Sequence, residues 1–590
     1  MVDSALPCSR RIGLEFDLPK FQLIHFVSPR RHKTHYTPLP LKIGDIVIQP
    51  TETAKLLGVM LDFKLSFRSH VELAQSRGTK ATLALSRIST PTFGLPHSYM
   101  RQLFQTVVVP RMEYGLPALG KVQRQACKLI TGALRTTATD TLDFHANVLP
   151  VHIRLNRSAY NAATRLASLP SSNPIRHTFR RCRRVPRFHR SPIHQLIHAF
   201  PIFRSDFETI DPQRRLVPLP AASVSVHIAA TKDIARADLD RVLARGGTCI
   251  FTDGSGFEDG AGAAAVVAAG RGEGIRRQKH LGSMSEHTVF ESEVCGAILA
   301  LDIIADIPRL TDVDIFRDCQ PAIVALSSPK PQPGQYLLAA FHAVLARILR
   351  TRRTLKIRLR WVPAHVGIAG NELVDSLAKE AAQGTTTPLR TRIILFESPL
   401  PTSRAAAAAV GAKAFARQGA EEWKTSPRHT RVASLDTANP SNAISRLYKE
   451  LSRPQCSVLT QLRTGHIGLN AYLFRFHLAP SPMCPRCAVP ESVHTFSSPA
   501  PPTTPNGSAP VFASAPPASP SVVSSPPNTT RTQSSPSCET LVDSPLTPYN
   551  PVYSTYFVTS SPLDSLIHIS RLYSRHEPIH IYTLSHRHTQ

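Results

Sequence analysis

Between residues 246 and 384 short apolar runs alternate with stretches of helical period, and this alternation constrains the fold more than any other feature of the chain. The runs at 248–253, 261–269, 313–317 and 355–362 predict strands, while 289–304, 336–349 and 371–382 predict helices. Strands and helices in that order bury both faces of a sheet, which predicts an α/β fold. A chain of 590 residues is too long for one ordinary core, so further parts are expected on either side.

Acidic residues stand at the ends of these elements. Asp253 closes the apolar run in CIFTDGSG, where Gly254 is read as turning the chain. Glu293 lies early in the helix of TVFESEVCGAILAL, whose Val294, Ala297, Ile298 and Leu301 form the apolar stripe. Its neighbour Glu291 competes for the same role. Asp318 follows the strand VDIF, and Asp375 lies in the helix NELVDSLAKEAA, four residues after Asn371 and so on the same side. Between the last strand and that helix, the Pro- and Gly-punctuated loop WVPAHVGIAGNE offers His365. Singly, each has an ordinary explanation: Asp before Gly supports a turn, and acids in the first turn of a helix complement its dipole. Together they form a strand, helix, strand, helix series of carboxylates that chance rarely supplies.

The strings TDGSG, ESEV, RDCQPAIVAL and WVPAHVGIAGNELVDSLAKEA resemble type 1 ribonuclease H, in the version fused to non-LTR retrotransposon reverse transcriptases. The resemblance covers residues 246–384 and implies a mixed five-stranded sheet with flanking helices. It implies that Asp253, Glu293, Asp318 and Asp375 hold the metal and that His365 is the loop histidine. It also implies that Gln320, Asn371 and Glu372 contact substrate or support the site. The expected activity is endonucleolytic hydrolysis of the RNA strand of an RNA–DNA hybrid, with a catalytically inactive nucleic-acid-binding remnant as the alternative. Such chemistry suits Mg²⁺, with Mn²⁺ as a substitute, because hard cations take carboxylate oxygens and a metal pair can clamp both the attacking and leaving oxygens. Four clustered acids without cations would repel one another. Recognition of the RNA strand rests on its 2′-hydroxyls, so slight sequence preference is expected.

The flanks carry weaker signals. Val71, Ala74, Gly78, Ala81, Leu85 and Ile88 recur at steps of three and four, and residues 1–170 are expected to form an all-helical module. AKLLGVMLDFKLSFRSHV, VVPRMEYG and VQRQACKLITGALRTT resemble the part of such a reverse transcriptase that follows its polymerase core. No Asp-Asp pair occurs in the chain, so polymerisation is not expected, and the fingers and palm are expected to lie before residue 1. Residues 171–245 are read as a basic linker around RHTFRRCRRVPRFHR. Residues 385–496 are read as a helical region ending in the zinc-knuckle-like CPRCAVPESVH, and residues 497–590 as a Pro-, Ser- and Thr-rich, largely disordered tail. Cys484, Cys487 and His494 lack a nearby fourth ligand, so zinc is not expected.

Lys and Arg number 69 against 41 Asp and Glu, and the net charge of +28 points to a polyanionic partner, here the hybrid. Ten scattered cysteines suggest reduced thiols and an intracellular setting, and the basic charge together with the retroelement resemblance points to the nucleus. No apolar run reaches membrane-spanning length, so no membrane partner is expected.

Overall fold

The computed structural model describes residues 21–26, 38–43, 46–56, 58–113, 119–176, 192–200, 206–213, 219–364, 366–433, 442–497 and 579–582, with single positions at 11, 13, 17, 178 and 202. The chain divides into a large compact unit, residues 1–466 with 556–590, and a small one, residues 467–555.

The large unit is built around a six-stranded mixed sheet. Its elements in chain order are β1 (Val224–His227), α1 (Lys232–Ala244), β2 (Thr248–Phe257), β3 (Gly260–Ala269), β4 (Arg276–Ser283), α2 (Val289–Asp306), β5 (Asp312–Arg317), α3 (Gln320–Ser327), α4 (Gln335–Thr351), β6 (Lys356–Trp361) and α5 (Ala369–Ala382). The strands lie in the order β1-β6-β5-β2-β3-β4. Pairing is parallel from β1 across to β2 and antiparallel from β2 through β4.

One face of the sheet buries Ile250, Val313, Ile315, Ile357 and Leu359 against Val294, Ile298 and Leu301 of α2 and Leu338, Phe341 and Leu345 of α4. The other packs Phe251, Val266 and Phe316 against Leu239 of α1 and Val374, Leu377 and Ala378 of α5. Strands covered on both sides read as apolar runs, which is why most were visible in the sequence. Buried polar ties lock the layers. Asp302 of α2 is fully buried, accepts from Arg277 Nε of β4 at 2.8 Å, and accepts from the backbone of Arg390 and Thr391 at 3.1 and 2.6 Å.

Three expectations are corrected. The sheet has six strands, not five, because β1 adds parallel to β6 at the edge. That strand and α1 come from the stretch read as a basic linker; the basic run itself lies outside the described residues, except for Arg176 and Thr178. The amino-terminal part is not all-helical either. Thr53–Leu56 and Val59–Asp62 pair as a hairpin, as do Leu41–Ile43 and Ile46–Ile48, ahead of the helix Arg68–Ser86. There the two-residue alternation of short strands was too brief to stand out against the longer helical period that follows.

Helices before and after the sheet pack on each other. Arg453, in the helix Arg453–Thr464, donates to the carbonyls of Thr90, Ile130 and Leu129. His97 stacks on Tyr448 at 4.4 Å, and the Tyr448 hydroxyl lies 3.2 Å from His145 Nδ1.

In the small unit, Cys484 N donates to Val489 O at 2.8 Å, closing a turn over Cys487. Of the tail, the structure describes Ser497, which ends the helix Val493–Ser497, and, in the large unit, Ile579–Tyr582, which pairs antiparallel with Leu23–Phe26. The remainder of the expected disordered tail lies outside the described residues.

Candidate metal centre

Strand register brings the first two carboxylates together. β2 and β5 run parallel with Phe251 beside Phe316, so Asp253 and Asp318, each two residues further on, fall side by side at the same end of the sheet. The sequence pattern predicts Asp253 at a strand end; instead β2 continues to Phe257 and Asp253 pairs with Ala264 of β3. Gly254 therefore does not turn the chain. Its role is proximity, since a Cβ there would lie 2.2 Å from the backbone nitrogen of Glu293. Only glycine lets the first turns of α2 lie this close to β2.

Helical geometry then chooses between the two acids of α2. Residues two apart point about 200° from each other, so only one of Glu291 and Glu293 can face β2. Glu291 turns away and closes a capping box with Thr288, while its Oε1 accepts from the Tyr336 hydroxyl at 3.0 Å. Both acids are buried. Carboxylate oxygens of Asp253, Glu293 and Asp318 lie within 4.8 Å of one another.

The remaining candidates are placed as follows. Asp375 is half-buried in α5 and is held by Lys379 Nζ at 2.7 Å; its charge acts on Asp253, but it is not among the three acids within that 4.8 Å. Asn371 Nδ2 stands 3.5 Å from Asp318 Oδ2, at the long limit of a hydrogen bond, and its buried Oδ1 has no partner among the described residues. Gln320 is half-buried at the start of α3, and Glu372 is exposed in the first turn of α5. His365 lies outside the described residues.

Sequence reasoning missed two side chains here. Trp361 Nε1 donates to the Asp318 carbonyl at 3.0 Å and fixes the turn that carries this acid. Arg317, with no exposed surface, donates through Nη2 to Glu293 Oε2 at 2.9 Å and to the Glu293 carbonyl at 2.5 Å. Its place at the end of a buried strand, next to an acid, was the available signal.

Burial dominates the electrostatics. It pushes the Asp253 carboxyl up to about 6, helped by the charges of Asp318 and Asp375. It pushes Glu293 up to about 7, with the Arg317 guanidinium opposing and Asp253 and Asp318 adding to the rise. Desolvated acids that repel one another and offer only hard oxygen donors fit a small divalent cation.

Residues 245–383 match the RNase H family. Among solved structures the chain is similar to RNase H1 from the halophilic archaeon Halobacterium salinarum NRC-1, at 22% identity over 24% of this chain and 100% of that one, with a TM-score of 0.20. It is also similar to the N-terminal RNase H domain of rv2228c from Mycobacterium tuberculosis, studied as a fusion with maltose binding protein, at 19% identity, 23% and 97% coverage and a TM-score of 0.19. No curated protein matches the chain. The three clustered acids all fall inside the RNase H domain, as do Arg317 and Trp361. No helix among the described residues is long and apolar enough to cross a membrane.

Proposed function

We propose that the RNase H domain hydrolyses the RNA strand of RNA–DNA hybrids with Mg²⁺, or Mn²⁺ in its place, held by Asp253, Glu293 and Asp318, with Asp375 as the fourth acid. The observation that carries this reading is the convergence of three carboxylates, from β2, α2 and the end of β5, within 4.8 Å. When bound, divalent metal supplies Lewis acidity toward the scissile phosphate and the attacking water.

The chain's own residues do the rest. Trp361 and Asn371 orient Asp318 by its backbone and side chain, and the close approach at Gly254 holds Glu293 against Asp253. His365 is assigned proton transfer near the leaving group, and Gln320, Asn371 and Glu372 are assigned contacts to the hybrid. Binding draws on the net charge of +28, most simply through phosphate contacts. We place the chain in a non-LTR retrotransposon polyprotein, on the strength of the strings around the helix Arg68–Ser86 and in the RNase H domain.

The deciding experiment is cleavage of a labelled RNA–DNA hybrid by the purified full chain in Mg²⁺ or Mn²⁺, against EDTA. Products from the RNA strand only, abolished by EDTA, are expected. No cleavage with either metal, alongside retained hybrid binding, would leave the inactive binding remnant. The observation favouring that second reading is that Lys379 and Arg317 already occupy oxygens of two of the four acids.

A further inference from the structure

We infer that Arg317 is a built-in counter-ion of the carboxylate cluster, one that orients Glu293 and holds down the affinity of the site for divalent metal. The inference rests on the metal-centre reading above and adds to it a residue that acts on metal through Glu293.

Arg317 is poorly served by ordinary hydrogen bonding. A guanidinium carries its charge at any working pH and presents five N–H donors. Here it has no exposed surface, and Nε and Nη1 have no partner among the described residues. A buried arginine kept only for structure should find acceptors for those nitrogens, because burying unsatisfied charged donors is costly. Among the described residues its side-chain bonds run instead through Nη2 to Glu293, to Oε2 at 2.9 Å and to the carbonyl at 2.5 Å. What offsets its burial is the summed negative charge of Asp253, Glu293 and Asp318, and Arg317 acts on both of the buried acids Asp253 and Glu293.

Two consequences follow. Without metal, three clustered carboxylates already have one fixed cation among them, so the site is assembled before metal arrives. With Oε2 engaged by Arg317, Glu293 turns one oxygen fewer toward an incoming ion, and that ion must also approach a fixed positive charge. Even in a water-like dielectric, a unit charge and a divalent ion about 6 Å apart repel enough to weaken binding about tenfold, and a drier site makes the effect larger.

The test is Mn²⁺ binding to the full chain, read from the electron paramagnetic resonance signal of free Mn²⁺, with metal-free thermal melts alongside. Arg317→Met leaves Glu293 buried without its partner and is expected to lower Tm without metal. Glu293→Gln alone and Arg317→Met/Glu293→Gln together give the clean comparison, because the double variant leaves no buried unpaired charge at this pair. The double variant should bind Mn²⁺ at least about tenfold more tightly than Glu293→Gln. Arg317→Lys, which retains the charge, should stay within about threefold of the parent. Equal or weaker Mn²⁺ binding by the double variant, in a chain whose parent binds Mn²⁺ saturably, overturns the inference and leaves the metal centre standing. A parent that takes up no Mn²⁺ overturns both.

Discussion

Replacing Gly254 with alanine tests whether the carboxylate cluster depends on the closeness of β2 and α2. The new Cβ would lie 2.2 Å from Glu293 N, 2.5 Å from Ser292 C and 2.8 Å from Glu293 Cα. These are backbone atoms in the first turns of a buried, capped helix, so no rotamer change relieves them. Opening 2.2 Å to the 3.4 Å at which ordinary contact begins requires α2 to retreat by about 1.2 Å. Overpacking of this kind costs about 1–3 kcal/mol. Displacing a reacting group by about 1 Å costs on the order of 10²-fold in rate. Gly254→Ala should therefore lower Tm and slow single-turnover hybrid cleavage in Mg²⁺ by about 10²-fold, with hybrid affinity little changed. Gly247→Ala is the control, since the nearest atom to its Cβ stands 4.0 Å away. A Gly254→Ala variant with the parent's Tm and cleavage rate would refute the reasoning, and an equal loss in Gly247→Ala would show it to be unspecific.

Asp253→Asn and Glu293→Gln should each reduce cleavage by on the order of 10²-fold or more while filter binding of the hybrid persists, because each removes a carboxylate charge that would hold the cation stabilising negative charge on the reacting phosphate. Glu291→Gln should retain cleavage with a lower Tm, its carboxylate serving the capping box and Tyr336; loss of activity without loss of Tm would contradict that assignment. His97 is held down to about 4, chiefly by burial, whereas the unfolded chain takes up this proton near the ordinary value of 6.5. Its contribution is thus full above about 6.5 and is lost as pH falls toward 4, so the stability gap between parent and His97→Gln in urea melts should narrow from pH 7 to pH 5, and a constant gap would exclude it. Asp302→Asn breaks a buried pair with Arg277 and should cost about 3 kcal/mol or more in the same melts, unless the Arg390 and Thr391 backbone contacts alone carry the tie.

The acids of the RNase H domain were legible because the chemistry sits where apolar periodicity changes. Runs such as Ile250, Phe251 and Val313, Ile315, Phe316 announce doubly covered strands, and Asp253 and Asp318 lie two residues after them, while Glu293 and Asp375 stand near the starts of apolar-striped helices. Elements of other composition were not legible. β4 reads RRQKHLGS, with a half-buried polar pattern and no apolar alternation, and β1 has only four residues, so neither outweighs its surroundings in a sequence window. Their strand state comes from backbone pairing with β3 and β6, a partner that no local propensity encodes.

Sequence order and residue type alone therefore determined the α/β class of the central segment and named the candidate acids. Which acids meet was decided only by tertiary structure. The parallel register of Phe251 with Phe316 aligns Asp253 and Asp318, and the missing Cβ of Gly254 admits α2 closely enough for Glu293, rather than Glu291, to join them. The same packing removed Arg317 from water and placed its charge on Glu293. Pattern along a chain reports which groups can be buried, but proximity across strands and helices, and with it the field at each carboxylate, exists only once distant segments share one core.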